Sequence, residues 1–360
     1  MNRIVTKITL LLLALILGGQ LRAQFTTTFA KNVNPGQQNG LYYSLPQTML
    51  KLDFVIEESQ LMQGPLSDYA SSYFEMEDYV EYETTEYKLL DVKMTPVTSP
   101  DPNALFFVTF TAARGGSKLQ FDVLPNGIIR SVGVGNDTET VEPKPMPQEQ
   151  PQCCHEESAV SEEFVGLMSA GKTNAMLAKE VADKIVEIRK AKFYLISGDV
   201  EMASNPETFN AMYKRLDAME KEYTSLLLGK RVTKKVVRTV YVIPNKEVPT
   251  QTVAKFSETE GLTVGTSGSG SMITVQTLSL NTTAAINAPS QSAVESMTYD
   301  SKVFYRIPET ANVKVSCDGK TLLEDRLIVN QLGAMLMAPV TNTKLMFDTE
   351  TGQIVNMRMQ

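Results

Sequence analysis

The stretch Tyr42-Tyr43-Ser44-Leu45-Pro46-Gln47-Thr48 returns far along the chain as Phe304-Tyr305-Arg306-Ile307-Pro308-Glu309-Thr310. A strand-like alternation follows each copy. A second echo lies behind each of these. Leu119-Gln120-Phe121-Asp122 runs into a turn at Asn126-Gly127, and Leu345-Met346-Phe347-Asp348 runs into a turn at Thr351-Gly352. Two echoes in the same order predict an α+β chain built from two related antiparallel β-rich modules, not one long enzyme domain. Proline holds φ near −65° and suits an edge or first-residue position. The two Tyr-Pro segments are therefore expected to open equivalent strands.

The organisation between the echoes follows from periodicity. Residues 24–138 read as the N-terminal β-rich module. Leu50, Leu52, Phe54 and Ile56 alternate on one side, Tyr87, Leu89, Asp91 and Lys93 open a further alternation, and Leu105 to Phe110 is a continuous apolar run. Pro100-Asp101-Pro102-Asn103, Gly115-Gly116 and Asn126-Gly127 are read as turns separating strands. A short helix is expected from Pro65, carrying Leu66, Tyr69, Ala70 and Tyr73. Residues 139–155 hold prolines at 143, 145, 147 and 151 among Glu and Gln, the composition of an extended linker.

Residues 156–229 contain a helical hairpin, inserted between the β modules. From Asn174 to Ile196 an apolar stripe runs through Leu177, Val181, Ile185, Ile188 and Leu195. Gly198-Asp199 breaks it. The second helix is punctuated by Asn205 as cap, Pro206 at its first position and Gly229 after its end. Phe209, Met212, Leu216, Met219, Tyr223 and Leu226 recur at helical spacing and are expected to be buried. Residues 230–360 form the C-terminal β-rich module. Its first strand, Arg231 to Ile243, shows Val232, Val236, Thr239, Tyr241 and Ile243, and Gly265 to Gly270 reads as a flexible turn.

Residues 1–23 have the pattern of an export signal. Arg3 and Lys7 precede the apolar run Ile8 to Leu17, and small residues lead to a cut after Ala23. The run is too short for a permanent membrane helix, which needs about 20 apolar residues. No later run is long enough to be a transmembrane segment, and no cysteine stands at the cut to carry a lipid. Removing Arg3, Lys7 and Arg22 with the signal moves the formal charge from −7 to about −10. Such a chain repels phosphate backbones, so nucleic acid is not an expected partner. The expected place is the periplasm, or the outer membrane or cell surface. Three cysteines, Cys153, Cys154 and Cys317, are too few for a disulfide scaffold. A bridge from Cys153 or Cys154 to Cys317 and unpaired thiols both remain open.

The chemistry-bearing motifs fail one by one. Gly166 to Thr173 fits the P-loop formula, but a P-loop follows a buried strand. Glu156, Glu157, Glu162 and Glu163 stand where that strand would be, so no nucleotide is expected. His155 is the single histidine and lies in the linker beside Cys153, Cys154, Glu156 and Glu157. Adjacent ligands there strain metal coordination, and no third group holds the imidazole as a base. Glu75, Glu77, Asp78, Glu81, Glu83 and Glu86 alternate with Tyr79, Tyr82 and Tyr87, and this density reads as a solvated face. There is no tryptophan to floor a sugar cleft. No catalytic, cofactor-binding or metal residue is assigned, and no cofactor is expected.

Several segments carry a resemblance. They are Leu41-Tyr42-Tyr43-Ser44-Leu45-Pro46, Ser99-Pro100-Asp101-Pro102, Ala182 to Gly198 with Ile188-Arg189 and Leu195-Ile196-Ser197-Gly198, Phe256-Ser257 with Gly261-Leu262, and Phe304-Tyr305-Arg306-Ile307-Pro308. Together, in this order and over nearly the whole mature chain, they resemble domain-of-unknown-function family 4831, exported proteins of Bacteroidota. The resemblance implies a β-rich protein with an inserted helical hairpin and brings no catalytic residues. Cys153-Cys154 and Cys317 depart from the family pattern. The functional expectation is an exported, non-enzymatic binding or assembly protein of the cell envelope, with a protein or another envelope component as partner. The alternative is a carboxylate-dependent hydrolase of envelope glycans or peptides.

Overall fold

A computed structural model describes residues 25–33, 36, 39–74, 80, 82–110, 119–134, 171–197, 206–289, 294–295, 297–341 and 343–359. The fold is α+β, with antiparallel sheets and an inserted helical hairpin. Its strands are β1 (Phe25–Phe29), β2 (Gly40–Met62), β3 (Thr84–Phe110), β4 (Leu119–Val123), β5 (Ile129–Val134), β6 (Lys230–Val242), β7 (Thr250–Ser257), β8 (Gly261–Val264), β9 (Ser271–Ser279), β10 (Tyr299–Asp300), β11 (Lys302–Cys317), β12 (Lys320–Pro339), β13 (Thr343–Phe347) and β14 (Ile354–Met359). The helices are α1 (Ala70–Tyr73), α2 (Asn174–Ser197) and α3 (Pro206–Leu228). Among the described residues the strands form three sheets, ordered β10-β1-β3-β2-β6, β12-β11-β9-β7-β8 and β14-β13-β5-β4.

The repeat is visible in the backbone. Each half holds a long hairpin, β2–β3 or β11–β12, followed by a short one, β4–β5 or β13–β14. Both long hairpins carry the same irregularity. Pairing jumps from Ser44–Leu105 to Pro46–Pro100 in the first and from Ile307–Ala334 to Glu309–Val329 in the second. In both, the extra residues lie on the second strand. The short hairpins dock alike. Ser44 N–H donates to the Gly127 carbonyl at 2.8 Å, and Arg306 N–H donates to the Gly352 carbonyl at 3.0 Å.

The prolines stand at the irregularity, not at the strand entry. Gly40 and Lys302 open the strands. β6 joins β2 only from Leu50, and β9 joins β11 only from Ala311. Pro46 and Pro308 therefore lie where their strand has one neighbour, so the missing N–H costs no ladder bond. Pro100-Asp101-Pro102-Asn103, read as a turn between strands, lies inside the single strand β3. The Asn103 amide donates to Asp101 at 2.9 Å, so turn chemistry is used there to shape the bulge.

The halves share their cores. The first contains Phe25, Phe29, Tyr43, Leu45, Phe106 and Val108 with Phe304, Ala338, Leu345 and Phe347. The second lies between the two five-stranded sheets. It joins Leu50, Leu52, Phe54, Ile56, Val240 and Val242 to Val253, Ile273, Val275, Val313 and Val315. Inward alternation in β3 switches after Leu89, because Leu90 bulges between Leu89–Ile56 and Asp91–Val55. Val92 is buried and Asp91 and Lys93 are exposed. In β6 the buried residues are Val240 and Val242, while Tyr241, and Ile243 just after the strand, prominent in the sequence pattern, are exposed. β6 belongs by position to the C-terminal portion but pairs along β2 from Leu50 to Met62.

The helical hairpin has its own core. Leu177, Val181, Ile185 and Ile188 of α2 are buried as the stripe implied, packed with Tyr223, Leu226 and Leu227 of α3 and with Leu66, and Leu195, nearer the end of α2, is buried too. The α3 stripe is buried only over this lower part. Leu216 and Met219 are partly covered, and Met212 is 40 % exposed. The reason is architectural: the lower end of α3 packs on the body as well as on α2, whereas higher up it meets α2, where Lys192 reaches Asp217 and lies over the Tyr213 ring. The segment after Pro65 is a tight turn of helix over Ser67–Tyr69 continued by α1, with Leu66 and Ala70 buried and Tyr73 exposed.

Candidate functional site

The hairpin root makes a cleft with mixed chemistry. Carbonyls at the end of α3 have no partner within the helix. Two are taken by the connection between β2 and β3: Leu66 N–H donates to Leu226 at 2.9 Å and Val80 N–H donates to Leu228 at 2.9 Å. This fixes α3 over the ends of β2 and β6 and leaves an open cleft of about 930 Å³. Its floor is Leu61, Val80 and Leu228. Asp217, Glu220, Lys221 and Thr224 of α3 and Arg189 of α2 form one wall, and Tyr82, Lys230 and Arg231 stand at the rim.

The charges of the wall are interlocked. Lys192 reaches Asp217 at 2.9 Å and Glu220 at 2.7 Å. Arg189 pairs with Glu220 at 2.7 Å and Lys221 with Asp217 at 2.8 Å. Hydrogen bonds from Lys221 and then Lys192 hold the Asp217 carboxyl at about 2. Lys192 and then Arg189 depress Glu220. Both acids stay ionised near neutral pH, so neither has the raised pKa that a proton donor needs. The Thr224 hydroxyl is buried at the wall without a hydrogen-bond partner. Such a site suits recognition of a group with an apolar body and a polar edge.

Other residues singled out in the sequence fall elsewhere. The signal segment 1–23, Cys153, Cys154, His155, Gly166 to Ala170, Asn205, and Glu75, Glu77, Asp78, Tyr79 and Glu81 lie outside the described residues. Lys172 donates to Glu180 of α2 at 2.6 Å. Cys317 is a half-buried thiol at the end of β11, pushed up by burial and then by Asp318. Glu86 pairs with Arg231 at 3.3 Å beside the cleft, and Tyr82 is exposed at its rim. Among the described residues no group of His, Cys, Asp and Glu is arranged to hold a metal, and no helix is long and apolar enough to cross a membrane.

Sequence reasoning missed the cleft because its lining comes from α2, α3, β2 and the start of β6. Glu86, beside it, and Tyr82, at its rim, stood out as members of the acid-tyrosine run, while Gly229, Arg189 and Arg231 were singled out only as a helix stop, part of a family-like segment and a strand start. The fold and site define a β-rich protein with a rooted helical hairpin and a cleft at the hairpin root. The family described as domain of unknown function (DUF4831) matches residues 39–355, and the chain belongs to it. No curated protein and no solved structure matches.

Proposed function

We propose that this chain is an exported, non-enzymatic binding or assembly protein of the cell envelope. The observation that carries the reading is the cleft at the hairpin root. An apolar floor invites burial of a partner, while both wall carboxylates are held as ions by lysine and arginine instead of being poised to move protons. Export follows from the N-terminal pattern, with a cut after Ala23 that would leave Gln24 first. The periplasm and the outer surface both fit this route.

The test is affinity capture from native envelope with the wild type and with the double variant Tyr82→Ala, Lys221→Glu. Tyr82 at the rim and Lys221 on the wall are both largely exposed, so the fold should be retained. A partner enriched by the wild type and lost from the variant supports the reading. Hydrolysis of envelope glycans or peptides that disappears in Glu220→Gln, with capture intact, would replace it by the carboxylate hydrolase.

A further inference from the structure

The third sheet uses the repeat in a way that leaves two matching edges open. Inside the chain, β5 of the first short hairpin pairs with β13 of the second, Val132 opposite Leu345 and Ser131 opposite Met346. The two hairpins are equivalent in detail. Pairing in β4–β5 slips between Asp122–Ser131 and Val123–Ile129, and in β13–β14 between Met346–Asn356 and Phe347–Ile354. Aligning the slips places β4 on β13 and β5 on β14. Phe121 then corresponds to Leu345, Asp122 to Met346, Ser131 to Asn356 and Val132 to Met357, a register two residues away from the sequence echo, which set Phe121-Asp122 beside Phe347-Asp348.

β14 therefore offers the same edge that β5 gives to β13, and β4 offers the same edge that β13 gives to β5. Both are sheet edges among the described residues. The consequence is visible in burial. Val132 is fully buried, whereas its counterpart Met357 is 54 % exposed, although it stands opposite the buried Leu345 and so on the core-facing side. Met359 on the same side is 88 % exposed. An uncovered apolar edge strand is a template for another strand.

We propose that this protein associates head to tail with further copies of itself, β14 of one copy pairing antiparallel with β4 of the next. The contact repeats the internal one: Met357 meets Phe121 of the next copy, and Asn356 meets its Asp122. The surface is heterologous, so assembly runs to a filament or a closed ring instead of stopping at a dimer. The strands are short, so the contact is weak and needs high local concentration, as on a crowded envelope.

Two measurements test it. In a background with Cys153, Cys154 and Cys317 changed to serine, chains carrying Asp122→Cys are mixed with chains carrying Asn356→Cys and oxidised. A covalent dimer in the mixture at least tenfold above either chain alone is expected. Bridging by Asn356→Cys alone as strong as in the mixture, or none in the mixture at any soluble concentration, overturns the proposal. Sedimentation of the wild-type chain should give a mean mass that keeps rising with concentration. Met357→Lys should leave the melting temperature unchanged and weaken this association at least tenfold. A wild type that stays monomeric throughout, or a variant that associates as well, overturns it equally.

Discussion

Arg306 and Asp101 form a 2.8 Å ion pair that crosses from one half of the repeat to the other, with side chains only 8 % and 4 % exposed. Arg306 also donates to the Pro46 carbonyl at 2.8 Å. Asp101 lies in the bulged part of β3. Its counterpart region in β12 reaches the other way, where the Asn330 amide donates to Thr48 Oγ1 at 3.0 Å. The halves are thus stitched by reciprocal contacts at their shared irregularity. Removing one member of a buried pair strands the other charge, which costs about 3–5 kcal/mol. Asp101→Ala should lower stability by that amount in denaturant titration. A loss below about 1 kcal/mol would mean the pair is solvated in solution.

Glu309 sets an acid limit. It is buried in β11, and burial by itself raises its carboxyl. Side-chain and backbone donors of Thr282 and Thr283, at 2.5 to 3.1 Å, outweigh that and hold it at about 2. Its ordinary value is 4.5. A carboxyl depressed in the folded state stabilises the fold above its unfolded pKa, and that contribution fades as pH falls from about 5 towards 2. The size is roughly 3 kcal/mol at most, from the spacing of the two values. Glu309→Gln should lose stability at pH 7 and show a flatter decline between pH 5 and pH 2 than the wild type. Parallel declines in thermal melts would remove this role.

Along the helical hairpin, burial divides one stripe into two behaviours. Ile185 is fully buried in the hairpin core, so Ile185→Ala should cost about 2–5 kcal/mol. Met212, on the upper part of the same hairpin, should cost under about 0.5 kcal/mol when changed to alanine. Equal losses in the two melts would show that the upper part packs on something not seen here. The upper end also carries Phe193, 66 % exposed, and Ile196.

What the sequence made legible was local or periodic. The alternation of Leu50, Leu52, Phe54 and Ile56 located a core face, Pro206 and Gly229 bounded α3, and the Tyr-Pro echo located equivalent strands. What stayed hidden depended on residues distant in the chain. Turn-forming residues at Pro100 to Asn103 signal a change of direction, and local chemistry does not distinguish a strand end from a bulge within a paired strand. Helical spacing placed Phe209 and Met212 on the right face, but spacing carries no information on where the covering element stops. The cleft gathers Leu61, Arg189, Asp217 and Arg231, which share no motif.

The equivalence of the two short hairpins yields a paired test. Gly127 and Gly352 occupy matching turns at φ +91 and +78, and each carbonyl accepts an amide from its own long strand. A non-glycine residue in this region is strained by about 1 kcal/mol or more at both positions. Their surroundings differ. A Cβ on Gly127 would find nothing nearer than Ser44 Oγ at 3.9 Å, whereas one on Gly352 would stand 2.8 Å from Pro46 Cδ. The proline ring is pinned in a paired strand and cannot turn away. Overpacking adds about 1–3 kcal/mol. Gly352→Ala should therefore destabilise more than Gly127→Ala by about that difference in matched urea titrations. The reverse order would mean that the β13–β14 turn does not seat against Pro46, and that the docking of the two hairpins is not equivalent.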